Sequence, residues 1–95
     1  MNDVIWGDVV RIIDGDTFEV DITHYDRRNG VSYGNRERIR IAGIDAPEIP
    51  SIPGLRARNH LENYLLGKHV RLTIRARDTF GRLVCDVAIA VKSAV

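Results

Sequence analysis

Three short segments of the sequence combine carboxylates with residue types that suit chemistry on a phosphate ester. They are residues 14–17 (DGDT), 45–48 (DAPE) and 78–82 (DTFGR), and Arg40 stands five residues before the second. Each has an ordinary explanation, because Asp-Gly favours a hairpin turn and a glycine supplies the positive φ of other turns. Together the segments hold the groups that metal-assisted cleavage of a phosphodiester needs.

Each chemical role falls to a particular residue type. Asp16 and Asp45, from separate segments, can offer carboxylate oxygens to a hard cation, with a backbone carbonyl nearby. Glu48 is three residues from Asp45 and could take a proton from water. Arg40 and Arg82 stay ionised and can each donate two hydrogen bonds to phosphate oxygens. The sequence therefore predicts a site where three loops meet.

The second segment has an alternative explanation as the start of a helix. Asp45 could be an N-cap, with Glu48 reaching back to it as in a capping box. Pro50 and Pro53 argue against this, because proline removes a backbone donor and favours an extended residue before it. We therefore predict a rigid loop, with no helix before Gly54.

Length and composition are those of one globular domain. The chain has 95 residues, of which 44% are hydrophobic and 28% charged, and one domain of this size can bury a core. No apolar run approaches the roughly 20 residues of a membrane span, so no membrane partner is expected. No signal peptide is visible, which makes the cytoplasm the default location unless an exported chain was trimmed. Cys85 is the single cysteine, and we expect it to be buried and inert.

Charge is unevenly distributed along the chain. Residues 1–35 carry three basic and seven acidic groups, a net −4, whereas residues 36–82 carry ten basic and five acidic groups, a net +5. Twelve of the fourteen basic residues are arginine, whose planar fork suits phosphate. A solvated charged face is the commoner cause of such a bias, and nucleic acid or another polyanion is the less common one, so charge alone does not establish a partner.

Hydrophobic periodicity predicts five strands and one helix. Residues 55–66 place apolar side chains on one stripe at helical spacing, and Gly67 follows as a C′ glycine. Alternating or β-branched segments predict strands at 9–13, 17–25, 35–44, 69–77 and 83 to about 91. The order β-β-β-α-β-β is that of the five-stranded OB-fold barrel. We therefore predict a mainly β OB-fold, with a small open α+β sheet as the alternative.

Four stretches, "IDGDT", "RIRIAGIDAPE", "LLGKHVRL" and "DTFGRLVCDV", resemble the staphylococcal nuclease (thermonuclease) family in order and spacing. The likeness runs from about Val9 to about Val87. Its most specific part is an arginine five residues before Asp-x-Pro-Glu, followed by Asp-x-x-Gly-Arg. The resemblance implies an OB-fold barrel and a calcium-dependent nuclease for DNA and RNA that favours unpaired strands and leaves 3′-phosphate ends.

The resemblance also implies a calcium site. The family's two calcium-binding aspartates fall on Asp16 and Asp45. The family residue after the second aspartate, usually threonine, gives calcium its backbone carbonyl, and here it is Ala46. Pro47 would hold Ala46 extended, so that this carbonyl and Asp45 point at one ion.

The remaining family roles fall on one glutamate and two arginines. Glu48 matches the residue usually described as the general base, and Arg40 and Arg82 match the phosphate-binding arginines. The third segment departs from the family, which usually has lysine and tyrosine where this chain has Thr79 and Phe80. The resemblance therefore implies weaker binding of a terminal phosphate.

The family continues beyond its fifth strand into further helices, which this sequence lacks. We therefore expect one domain over residues 1–95, with an apolar end formed by Val87, Ile89 and Val91 partly exposed. A homodimer through that end is a hypothesis that follows from the exposure. Two other functions stay open: a non-catalytic OB-fold that binds nucleic acid or protein, and a structural or assembly domain.

Overall fold

Five strands and one helix build the protein in a computed structural model that describes residues 2–92. The elements are β1 (Asp3–Asp14), β2 (Thr17–Tyr25), β3 (Arg36–Ile41), α1 (Ile52–Leu65), β4 (His69–Arg77) and β5 (Leu83–Ile89). The strands form a closed barrel in the order β1-β2-β3-β5-β4. Only the β3–β5 pairing is parallel. The predicted mainly β, OB-type barrel with one helix is confirmed.

Period-2 patterning explains the barrel, because one face of every strand is apolar and turns inward. The core is formed by side chains that are buried almost completely, among them Ile5, Phe18, Ile39, Leu72 and Leu83. Strand β1 is 12 residues long and pairs with both β2 and β4. Its length carries the β1–β2 turn to the end of the barrel where the other charged loops lie.

Helix α1 was predicted at 55–66 and begins three residues earlier, at Ile52. The prediction that Pro53 excludes a helix before Gly54 is therefore wrong. Ser51 is the N-cap, and its side chain accepts a hydrogen bond from the Gly54 amide. Pro53 is tolerated in the first turn because the amides of that turn have no partner inside the helix. Asp45 caps nothing, as expected.

Gly67 takes a positive φ of 79° directly after the helix, which confirms it as the C′ residue. Cys85 is fully buried, and burial raises the pKa of its thiol to about 12. The expected burial of this cysteine is therefore confirmed. Among the described residues, no helix is long and apolar enough to cross a membrane.

Candidate active site

The β1–β2 turn presents a carboxylate inside a tightly packed corner. The Asp16 amide donates to Asp14 at 3.0 Å, which closes the turn. A Cβ at Gly15 would lie 2.6 Å from the Ala57 side chain and 2.7 Å from that of Ala46. Gly15 is therefore needed where the turn, helix α1 and the β3–α1 loop meet.

Asp16 is the most enclosed charged group of the site, with its side chain 9% exposed. The Thr17 hydroxyl donates to one carboxylate oxygen at 2.8 Å, and the Ala46 amide donates to the other at 3.1 Å. Burial acts to raise the pKa of Asp16, but its interaction with the Asp14 side chain and the hydrogen bonds from the Ala46 amide and the Thr17 hydroxyl outweigh burial and lower the pKa. Burial and the neighbouring Asp16 raise the pKa of Asp14. Asp16 is therefore the more acidic member of the pair.

Arg40, at the end of β3, lies between two carboxylates. Its Nη2 atom is 3.3 Å from Asp45 and 3.6 Å from Asp16. Its Nη1 atom donates to the carbonyl oxygens of Ile41 and Ile44 at 3.1 and 2.8 Å. These four contacts fix the guanidinium, so Asp16 and Asp45 already share one positive charge.

The loop from 42 to 51 is fixed through its backbone. The Ala46 amide binds Asp16, and the Glu48 carbonyl accepts from the amide and the hydroxyl of Ser51. The Asp45 side chain is nevertheless 97% exposed. Glu48 is also exposed, and its carboxylate makes no hydrogen bond or ion pair within residues 2–92. The loop therefore fixes the backbone of both residues. Arg40 contacts the Asp45 carboxylate, whereas nothing in the described residues holds that of Glu48.

The β4–β5 turn holds the second arginine. Asp78 accepts from the amides of Phe80 and Arg82 at 3.0 and 2.9 Å and from the Arg82 Nε atom at 2.7 Å. Burial acts to raise the pKa of Asp78, but these hydrogen bonds outweigh it and lower the pKa. The other end of the Arg82 guanidinium donates to the Thr17 hydroxyl at 3.3 Å. The guanidinium also stands 5.3 Å from the centre of the exposed Phe80 ring.

A continuous chain of polar contacts thus joins the three loops, running from Arg82 through Thr17, Asp16 and Arg40 to Asp45. The structure brings together five predicted site residues, the four charged ones of this chain and Ala46. The Glu48 carboxylate is on the same loop but outside the chain of contacts.

Sequence reasoning missed Thr17, which is 2% exposed and links Arg82 to Asp16. Its position in DGDT was visible, but its importance depends on the register that sets Thr17 opposite Arg40. No pattern in the sequence gives that register before the barrel is known. The sequence feature that comes closest to indicating this role is a threonine hydroxyl directly after a charged turn, where it would be buried.

The donor chemistry suits a hard cation. The site offers carboxylate and carbonyl oxygens, which such ions prefer, and Asp16 and Asp45 already converge on the cationic Arg40. Within the described residues, no three His, Cys, Asp or Glu side chains form a group that could hold a metal ion. A cation here would therefore depend on two carboxylates together with backbone oxygen and water.

Comparison with known proteins places the chain in a family. Residues 38–95 match the family described as "Staphylococcal nuclease homologue". An "Uncharacterized endonuclease" of Escherichia coli O157:H7 is 39% identical over 83 residues, which are 87% of this chain and 48% of that protein. A "Micrococcal nuclease" of Shigella flexneri is 38% identical over 78 residues, 80% of this chain and 38% of that protein.

A probable endonuclease of Coccidioides posadasii is 32% identical over 101 residues, 87% of this chain and 32% of that protein. The chain therefore spans about half, or less, of the length of these relatives. The match nevertheless takes in the DAPE loop and the β4–β5 turn, whose geometry is described above. The chain belongs to the staphylococcal nuclease family.

Proposed function

We propose that this barrel is a calcium-dependent nuclease that hydrolyses phosphodiester bonds of DNA and RNA. The observation that carries the proposal is the chain of contacts from Arg82 to Asp45, which gathers two cationic and two anionic groups at one end of the barrel. Family membership supports the same reaction class. A fold alone would not, since OB-type barrels serve many functions.

Asp16, Asp45 and the Ala46 carbonyl are the residues that would hold calcium. The charged state of Asp16 favours this, because its pKa is lowered despite burial. Bound there, the ion would polarise a phosphate oxygen and make a bound water more acidic. Arg40 occupies the space between the two carboxylates, so binding of the cation would free its guanidinium to turn toward a phosphate.

Glu48 is the proposed base. It takes a proton from the attacking water while the water oxygen bonds to phosphorus. The bond from phosphorus to the 5′ oxygen then breaks, the leaving oxygen takes up a proton from solvent water, and a 3′-phosphate and a 5′-hydroxyl remain. The exposure of Glu48 gives it access to water, and its backbone is fixed through Ser51 on the loop that also carries Asp45.

Arg82 and Arg40 are proposed to stabilise the charge that develops on the phosphate oxygens in the phosphorane-like transition state. Arg82 suits this role because Asp78 and Thr17 fix two ends of its guanidinium in advance. Donors that are held before the reaction need no reorganisation during it. Unpaired strands are the expected substrates, because a single strand can bring one phosphate to both arginines without a second strand beside it.

Cleavage of single-stranded DNA with calcium and with a chelator tests this function. The account predicts cleavage that requires calcium and is slower on duplex DNA of the same sequence. A non-catalytic binding domain is the second candidate, favoured by the Glu48 carboxylate lying outside the chain of contacts. It would bind the same DNA in chelator and release no fragments in calcium, and that result would refute the nuclease.

Self-association is a further proposal about partners. Val87 and Ile89 line an apolar hollow of about 240 Å³ with residues of the β3–α1 region and the helix: Ile41, Ile44, Leu61, Tyr64 and Leu65. Val91, predicted to belong to the same surface, is 96% exposed and lies beside a different groove. A dimer would cover the hollow, and a monomer mass by light scattering at micromolar concentration would contradict it.

A further inference from the structure

A second groove lies on the barrel far from the charged loops. Its volume is about 560 Å³, and its lining is aromatic and basic: Trp6, His24, Tyr25, Asp26, Arg27, Arg28, His69 and Val91. Trp6 is eight residues before Asp14 on β1, which at about 3.3 Å per residue puts it some 25 Å from the β1–β2 turn. The groove therefore shares no residue with the candidate active site.

Three neighbouring strands build an outward-facing row beside this groove. Trp6 lies between His24 of β2 and Arg71 of β4 in the strand register. Its neighbours Ile5 and Gly7 are buried, so Trp6 points out of the barrel. Tyr25 follows His24 and pairs with the buried Ile5, so it starts from the other face of the sheet. At the end of β2 it is nevertheless 44% exposed and lines the groove, and its hydroxyl donates to the Gly34 carbonyl. Trp6 and His24 on the outward face, with Tyr25 at the edge of the groove, offer flat faces on which planar groups can stack.

The charges around the row leave an excess of positive charge. Each nearby carboxylate already has a cationic partner: Asp26 binds Arg28, and Asp8 binds Lys92. Asp21, next to Asp8 across the strands, binds Arg36. Arg27 and Arg71 have no carboxylate within 4 Å in the described part of the chain. Two arginines therefore remain for an anionic ligand.

We propose that this surface is a second binding site for single-stranded nucleic acid, with bases stacked on Trp6 and its aromatic neighbours and with phosphates bound by Arg27 and Arg71. Aromatic faces next to arginines are the combination that binds single strands without reading sequence. An acidic peptide would use the arginines but not the faces of the aromatic rings. The proposed site would bind its ligand without cleaving it, and it does not depend on whether the chain is a nuclease.

Tryptophan fluorescence gives a direct test, because Trp6 is the only tryptophan in the chain. The probe is an oligothymidylate of about twelve nucleotides, added at low salt with chelator present so that no cleavage occurs. The proposal predicts saturable quenching of the tryptophan. Binding of a dye-labelled oligothymidylate with no change in tryptophan emission would overturn the proposal.

Two matched variants locate the contacts. Arg71→Ala and Arg75→Ala remove the same charge from exposed positions of β4, but Arg75 is already paired with Asp86. We expect Arg71→Ala to weaken binding about fivefold and to lower the slope of log affinity against log salt by about 0.7, with Arg75→Ala near wild type. Equal affinities and equal salt slopes for the two variants would overturn the proposed site.

Trp6→Leu tests stacking, because leucine keeps an apolar side chain but offers no flat face. Labelled oligothymidylate should bind this variant about tenfold more weakly, within the range measured for loss of one stacked base. Unchanged affinity would overturn the stacking. Displacement of the oligonucleotide by polyglutamate at equal charge concentration would also overturn the stacking. It would indicate that the natural partner is an acidic protein. Should Trp6→Leu fail to fold, the arginine pair decides the question.

Discussion

The strands and the β3–α1 loop hold the two halves of the candidate active site in different ways. The strand-borne half consists of Thr17 and Arg40, which lie on β2 and β3, and of Asp16 and Arg82, which directly precede β2 and β5. The loop-borne half consists of Asp45, Ala46 and Glu48. The Asp16 side chain is 9% exposed and the Asp45 side chain 97% exposed. In the strand-borne half the side chains are fixed by one another. In the loop-borne half the backbone is fixed, and of the two carboxylates only that of Asp45 has a partner in the described residues, the guanidinium of Arg40.

Because of this difference, the side chains of the two halves become ordered at different stages. The strand-borne half is arranged during folding, so its charges are in place before any ligand arrives. The loop-borne carboxylates must be ordered when cation and substrate bind, at a cost of about 0.5–1.5 kcal/mol for each flexible side chain. The amide of Ala46 connects the halves, because its hydrogen bond to Asp16 ties the loop to the barrel.

The largest effect is expected from Arg82→Ala. Loss of a donor fixed in advance should slow cleavage about 100-fold or more. Arg82→Lys should recover only part of the rate, because an ammonium cannot reach both Asp78 and Thr17. Single-turnover cleavage under saturating calcium measures both variants. Arg75→Ala is the control, since Arg75 is exposed and paired elsewhere, and an Arg82→Ala rate within threefold of that control would contradict the role.

Gly54→Ala should displace the loop-borne half. A Cβ at Gly54 would run into the carbonyl group of Glu48 and the carbonyl oxygen of Pro47, and these are backbone atoms that cannot swing aside. We expect a loss of about 1–3 kcal/mol in the free energy of unfolding, together with slower cleavage. Urea denaturation measures the first effect, with Asn63→Ala on the exposed part of α1 as the control. Stability equal to the control would show that the loop moves freely.

The two aspartates should differ in their effect on stability. Asp16→Asn replaces an acceptor of two hydrogen bonds in a buried corner and should cost about 1–3 kcal/mol. Asp45→Asn changes an exposed side chain and should stay within about 0.5 kcal/mol of wild type. Urea denaturation in chelator separates these effects from calcium binding. Equal losses would remove the distinction between the halves.

A smaller effect concerns acid stability. The pKa of Asp78 in the folded protein lies below its ordinary value of 3.8, so its ionised form stabilises the fold. That contribution is present above about pH 4 and is lost as the pH falls through the folded pKa. Between about pH 5 and pH 3, Asp78→Asn should therefore lose stability less steeply than wild type. Parallel curves from thermal unfolding would contradict this.

Sequence patterns predicted the barrel because an inward face repeats with period 2 in every strand. They also predicted which loops carry the charged residues. The start of α1 was missed because a proline in a first helical turn and a proline that ends a loop look the same in sequence. Val91 was grouped with Val87 and Ile89 by the same period-2 rule, but β5 ends at Ile89. Beyond the end of a strand, alternation in the sequence no longer predicts which side chains share a face.

Exposure of individual side chains was also beyond sequence reasoning. Asp16 and Asp45 are the same residue type in similar motifs, yet one is enclosed and the other faces solvent. The difference comes from Thr17, Ala46 and Arg40, which reach Asp16 from three different elements. Such long-range contacts depend on register and closure of the barrel, which local patterns do not specify.

The most direct test of the account is Glu48→Gln, with cleavage rate and calcium affinity measured on the same preparation. Loss of a general base should slow single-stranded DNA cleavage by about 100-fold or more. Calcium affinity by calorimetry should stay within about twofold of wild type, because Glu48 is not a proposed ligand. Glu62→Gln on α1 is the matched control. Cleavage by Glu48→Gln close to that of Glu62→Gln would contradict the proposed mechanism.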